Sequence, residues 1–224
     1  SGVVRDHNLN KKMYCNILLP LGIVDPQEIK MSIVENGTQL KIIIAMPNIM
    51  ENLYLLYHDT FALKHPSTLE INQNLRVATY NIHKGVQGIG PRRRLEIHNL
   101  GHAIEQLDAD IVCLQEVRKM HRIEAQYFAR WPELPQAEFL SPLGYSAVYR
   151  TNAVTRHGEH GNAMLTRWQV LADQHEDMSD HRFEQRGILH AEVLVHGKAL
   201  HVLVVHLGLI RGSRIRQLEQ ITRF

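Results

Sequence analysis

The chain has 224 residues, 44% of them apolar and 21% charged, which excludes disorder, collagen and coiled coil as descriptions of the whole. Its two cysteines, Cys15 and Cys113, lie too far apart for a zinc knuckle and are too few for a disulfide framework, so a reducing, cytoplasmic setting is the expectation. A net charge of +2 argues against the dense basic face of a tight, non-specific DNA binder.

No apolar run reaches the roughly 18 residues of a membrane span. Ile17 to Val24 is interrupted by Pro20 and lacks a small-x-small cleavage site, so no signal peptide is expected. The basic residues change type near residue 75: five Lys and one Arg before it, three Lys and 16 Arg after it. Twelve of the 15 histidines also follow that point. This divides the chain into an N-terminal segment, 1–74, and a second domain, 75–224.

In the first segment, Lys30 to Val34 and Gln39 to Ala45 are β-branched runs around Glu35-Asn36-Gly37-Thr38. Asn-Gly accepts positive φ, and the pattern predicts a hairpin. Ile49, Leu53, Leu56 and Tyr57 recur at helical spacing and predict a helix over Ile49 to Leu63. The segment therefore reads as a small α+β unit, with His58, Asp59 and His65 as surface polar residues.

The second segment alternates β-like and helix-like patterns. Strands are predicted at Leu75 to Tyr80, Asp110 to Leu114, Tyr145 to Tyr149, Gly161 to Thr166, Gly187 to Val195 and Ala199 to His206. Helices are predicted at Arg92 to Leu107, opened by Pro91, and at Arg211 to Phe224. The Leu95, Leu100, Ile104, Leu107 stripe marks a core-facing side.

Three of these strands end in polar residues, at Asn81, at Gln115-Glu116 and at His206. Strict alternation puts Glu116 on one face with Val112 and Leu114, and His206 with Val202 and Val204. A carboxylate on a core-facing row needs compensation, and a divalent cation supplies it.

Four pieces, Ala78 to Gly85 (ATYNIHKG), Asp110 to Val117 (DIVCLQEV), His160 to Leu165 (HGNAML) and Val205 to Leu209 (VHLGL), stand in an order that resembles the endonuclease/exonuclease/phosphatase superfamily. That superfamily includes deoxyribonuclease I, abasic-site endonucleases, inositol polyphosphate phosphatases and neutral sphingomyelinases. The chain looks most like its small bacterial members. The resemblance covers residues 75–224 and implies a partial four-layer α/β sandwich of the deoxyribonuclease I type. It also implies Mg²⁺-dependent, or Mn²⁺-dependent, hydrolysis of phosphate esters, with nucleic acid and phospholipid headgroups among the substrates. By position, Glu116 would be the metal carboxylate and Asn81 would orient the metal ligands or attacking water. His206, protonated, would contact the phosphate and steady the oxyanion, with Asn162 near the same rim. Arg92 and Arg93, beside Gly85-Val86-Gln87-Gly88-Ile89-Gly90, would reach toward substrate phosphates.

The departures are as definite. Relatives carry a later Gly-Asp-x-Asn strand and a Ser-Asp-His motif, and neither follows residue 206. Ser179-Asp180-His181 has the letters but stands ahead of two core strands, so it reads as a loop. The glycine loop lacks the Lys-Ser/Thr ending of a nucleotide site. His157 and His160, or His175 and His181, have no metal-site spacing. The expectation is a chain that begins at Ser1 without methionine, is incomplete at its C-terminus and is catalytically weak. Unpaired sheet edges would also favour aggregation. The other reading is a non-catalytic binding protein built on a remnant of the sandwich.

Overall fold

A computed structural model of the chain describes residues 30–36, 39–46, 54–58 and 75–223. Two five-stranded sheets organise them. The first sheet runs β1 (Lys30–Asn36), β2 (Gln39–Met46), β12 (Lys198–His206), β11 (Gly187–Val195), β10 (Gln169–Asp177). The second runs β3 (Tyr54–His58), β4 (Leu75–Asn81), β7 (Ile111–Val117), β9 (Gly158–Thr166), β8 (Ser146–Thr155). A short ribbon pairs β5 (Val86–Gln87) with β6 (Arg94–Leu95). The helices are α1 (Ile97–Leu107), α2 (Arg122–Tyr127), α3 (Gln136–Leu140) and α4 (Arg211–Ile221).

The period-2 pattern sorts the apolar residues into three buried groups. Val77, Ile111, Cys113 and Met164 of the second sheet pack on Leu189, Ala191, Val202 and Val204 of the first, forming the seam between the sheets. On the outer face of the second sheet, Ala78, Val112, Leu114 and Leu165 receive Ile97, Ile104 and Leu107 of α1 and Ala137 and Leu140 of α3. On the outer face of the first, Ile188, Leu203 and Val205 receive Ile221 of α4. The order helix, sheet, sheet, helix is a four-layer α/β sandwich. Burial alone pushes the Cys113 thiol at its centre up to about 12, so it packs as an inert apolar group.

The structure adds β10, α2 and α3, which the sequence reading did not predict, and departs from it at two predicted elements. Tyr54–His58 is a strand, not part of a helix, and pairs antiparallel with Leu75–Thr79. Tyr-Leu-Leu-Tyr suits a strand as well as a helix, and pairing satisfies the backbone groups along the free edge of β4. The rest of the predicted helix, 49–53 and 59–63, lies outside the described residues, as do Asp59, His65 and the hairpin turn at 37–38. Secondly, the helix predicted from Arg92 begins at Ile97. Pro91 sits instead in a 3₁₀ turn closed by Arg92 N–H and Arg93 N–H on the carbonyls of Ile89 and Gly90, and Arg94–Leu95 pair with β5.

Strands on both sides of residue 75 share each sheet. β2 lies parallel beside β12, with Ile43 opposite Leu203, while Ser32 of β1 faces Ile43 from the other side. The edges of β12 and β4 are thus paired.

Proline at a doubly paired strand position removes a ladder donor and costs about 3 kcal/mol or more. Ile43→Pro is therefore expected to lower the melting temperature of the whole molecule by roughly 6–12 °C in a single transition. An unchanged transition, or loss of a minor one alone, would contradict the shared sheet.

Candidate active site

The parallel strands β4 and β7 end together, with Asn81 opposite Gln115. β12, in the facing sheet, ends at His206. The polar ends meet because of an irregularity in β7. Its register against β9 shifts between Leu114 and Val117, and Glu116 has a φ of 55°. One extra residue with a left-handed backbone is a β-bulge. Val112, Leu114 and Val117 all stay in the helix-side core. Glu116 therefore does not share their face, as strict alternation required. The bulge turns it to the rim of the seam, where Asn81 Nδ2 donates to its Oε1 at 3.3 Å and His206 Nδ1 lies 3.9 Å from the same oxygen.

The opposite oxygen, Oε2, takes the Lys84 ammonium at 3.0 Å, with His83 Nδ1 at 3.9 Å. Both residues come from the 3₁₀ turn His83–Gly85, which follows β4 directly. Asn81 Oδ1 accepts from His83 N–H at 3.0 Å, so one amide braces the turn and the carboxylate together. Gly85, at a φ of +72°, lets the chain leave this turn against Ile97 and Gln136, where a side chain would collide.

Burial pushes the Glu116 carboxyl up, but Lys84, with His206 and His83 behind it, outweighs burial and holds the carboxyl well below its usual range. His206 is 2% exposed, and burial with the nearby Arg186 guanidinium pushes its imidazole far below its ordinary value. It is neutral near pH 7, so the imidazolium expected from the sequence is not its resting state. His206 Nε2, Arg186 Nε and Asn162 Oδ1 are buried without hydrogen-bond partners among the described residues.

The other expected site residues have more varied positions. Asn162 is fully buried and donates from Nδ2 to the carbonyls of Gly187 (2.9 Å) and Val204 (3.0 Å), tying the two sheets together beneath the rim. Only its oxygen remains for a ligand. Arg93 donates to the buried Glu124 at 3.0 Å and lies over the rings of Tyr127 and Phe128. Glu124 also pairs with Arg118, two residues beyond Glu116. Arg92 is exposed, without a side-chain partner among the described residues, on an open cavity of about 690 Å³ lined by Gln87, Gly88, Pro91 and Arg92–Arg94. Ser179-Asp180-His181 lies in the loop between β10 and β11, where Asp180 bonds Ser213 and Arg216 and so fastens the loop to α4.

Sequence reasoning gave no role to Lys84 or Arg186. Lys84 lies three residues past Asn81 in a motif already singled out. Arg186 was legible from register: β11 and β12 form a hairpin pairing Ile188 with Val205, which brings the residues before Ile188 to the end of β12 at His206.

The family model of the Endonuclease/Exonuclease/phosphatase family matches residues 78–219, which takes in every motif strand at the rim. The chain belongs to this family. The YbhP proteins of Escherichia coli K12 and Shigella flexneri are each 37% identical to it over 154 residues, covering 67% of this chain and 60% of theirs. The chain thus spans about 60% of the length of these curated relatives. Among solved structures, an endonuclease/exonuclease/phosphatase family protein of Leptotrichia buccalis aligns with 67% of the chain and 63% of its own, at 17% identity and a TM-score of 0.49. A humanised TDP2 of D. rerio aligns with 66% of this chain and 58% of its own, at 16% identity and a TM-score of 0.45. No helix among the described residues is long and apolar enough to cross a membrane.

A carboxyl whose folded pKa is depressed contributes stability above its unfolded value and loses it as pH falls. The unfolding free energy of wild type, relative to Glu116→Gln, should therefore shrink as pH drops below about 4.5. Parallel pH profiles for the two proteins in urea titrations would contradict the ionised, base-paired carboxylate.

Proposed function

We propose that the rim is the phosphate-gripping half of a phosphoester hydrolase of the phosphodiesterase, nuclease or phosphatase type, working with Mg²⁺ or Mn²⁺. The observation that carries this reading is Glu116, ionised at a strand bulge beside Asn81, with His206 and Arg186 presenting unpartnered buried nitrogens close by. Family membership of residues 78–219 supports it.

The donor set suits a hard ion. Among the described residues no group of three or more His, Cys, Asp or Glu could form a cage for a metal, which disfavours a zinc-type site. One ionised carboxylate suits Mg²⁺, which takes one or two carboxylates and otherwise keeps waters and phosphate oxygens. Glu116 would hold it and Asn81 would keep the carboxylate aimed. Such an ion supplies neutralisation of charge on the phosphoryl group and its leaving oxygen.

The chain's own groups do the rest. His206, as a neutral imidazole, donates an N–H to a phosphate oxygen, and Arg186, whose terminal nitrogen is held by Glu184, adds a further N–H donor from the loop preceding β11. Asn162 keeps the two sheets at a constant separation under both. Arg92 and Arg93 extend the positive potential outward, Arg92 as a guanidinium without a side-chain partner among the described residues. Nucleic acid and phospholipid headgroups both fit a phosphate flanked by such charges. Glu116, the carboxylate facing His206 and His83, would be committed to the ion, so turnover would lack the roughly hundred- to ten-thousand-fold that a separate general base adds.

With MnCl₂ or MgCl₂, the protein is expected to hydrolyse bis(p-nitrophenyl) phosphate slowly, and Glu116→Gln to reduce that rate by about a hundredfold or more. Arg92→Ala should raise KM for a polyanionic substrate such as an oligonucleotide and leave the small ester unaffected. Saturable phosphodiester binding with no hydrolysis above the metal blank would favour a binding protein instead.

A further inference from the structure

Lys84 occupies the Glu116 oxygen that a divalent cation held by this carboxylate would have to use. Its ammonium lies 3.0 Å from Glu116 Oε2, while Oε1 already takes the Asn81 amide. A dication coordinated to Oε2 would sit a few ångströms from that ammonium, close enough for strong repulsion in a half-buried site. Holding both on one oxygen would cost that repulsion.

The backbone of Lys84 is not free to withdraw. Its φ is 64°, its carbonyl accepts from Gln136 Nε2 at 2.7 Å, and the next N–H, of Gly85, is bonded to the Ile82 carbonyl at 2.8 Å. Gln136 is buried and is itself fixed by the Arg118 N–H on its Oε1 at 2.8 Å. Only the four-carbon side chain can move, and it is 34% exposed, so rotation into solvent is open to it. Positive-φ backbone is concentrated here as well. Of five non-glycine residues with positive φ among the described residues, three are His83, Lys84 and Glu116, the two ends of this one contact. Such backbone persists where its surroundings over-determine it, and it gathers at functional sites.

We infer that Lys84 is a placeholder: it neutralises Glu116 until a divalent cation displaces it, and the displaced ammonium then serves as a ligand for a substrate phosphate oxygen. This rests on the proposed role of Glu116 as the metal carboxylate. With a single carboxylate holding the ion, Lys84 sets the cation affinity, and it couples cation binding to phosphate binding. It acts on the metal through Glu116, as a positioning residue.

The test is calorimetric titration of the full chain with MnCl₂, checked by electron paramagnetic resonance of free Mn²⁺, on wild type, Lys84→Met, Lys84→Gln, Lys84→Arg and Glu116→Gln. Lys84→Met and Lys84→Gln should bind Mn²⁺ about tenfold more tightly or better. Lys84→Arg should bind no better than wild type, and Glu116→Gln should show no saturable binding. At saturating Mn²⁺, Lys84→Met should bind inorganic phosphate about tenfold more weakly than wild type. A merely structural role for Lys84 would not tighten metal binding. Unchanged or weaker Mn²⁺ affinity in folded Lys84→Met and Lys84→Gln, with Glu116→Gln still abolishing binding, overturns the placeholder alone. Unchanged phosphate affinity overturns its second half. Equal Mn²⁺ binding by wild type and Glu116→Gln removes the Glu116 reading itself, and the inference with it.

Discussion

A negative charge has to be kept at the seam between two apolar sheets, and the rest of the site follows from how that is done. β7 feeds the helix-side core with Val112 and Leu114. Were the alternation to continue, its carboxylate would lie among Ile97, Ile104 and Leu107, where an unpaired charge is costly. The bulge inserts one residue, so that Val117 takes the core position and Glu116 is turned toward the rim. There Asn81 and Lys84 compensate it from opposite sides. Asn81 is available because β4 runs parallel to β7 and ends level with it, and His206 because β12 ends at the same rim of the facing sheet. Polar groups at the carboxyl ends of neighbouring strands are the usual arrangement of a site in an open α/β sheet.

The same economy explains the modest net charge. Many of the arginines concentrated after residue 75 are used in pairs. Arg93 and Arg118 share Glu124, Arg76 and Arg167 share Asp108, Arg186 pairs with Glu184 and Arg216 with Asp180. Buried Glu124 shows why: a carboxylate 6% exposed persists only with strong partners, and its two guanidiniums link the region next to Glu116 to the arginine cavity around Arg92. Much of the charge after residue 75 is thus compensated locally.

Much of this was legible in the sequence. The apolar strands with polar ends pointed to Asn81, Glu116 and His206, and the structure brings those three together. The four-layer order followed from the resemblance those strands carried. The residues that escaped notice did so for physical reasons. A bulge is a backbone event with no side-chain signature in Leu-Gln-Glu-Val, so the face of Glu116 was misassigned. The protonation of His206 depends on burial and on Arg186, which comes from the loop ahead of another strand. Tyr54–His58 is ambiguous in isolation, since its apolar residues fit either period, and only the free edge of β4 decides for a strand. Lys84 needed its left-handed turn to be seen before its ammonium could be placed on the carboxylate.

The most direct measurement is crystallographic: anomalous scattering from crystals of the protein soaked in MnCl₂. The account predicts a peak at coordination distance, about 2.0–2.3 Å, from a Glu116 carboxylate oxygen at the rim of the seam, with the Lys84 ammonium moved off that oxygen. A peak remote from Glu116, or a Glu116 side chain directed into the helix layer beside Leu114, would contradict it.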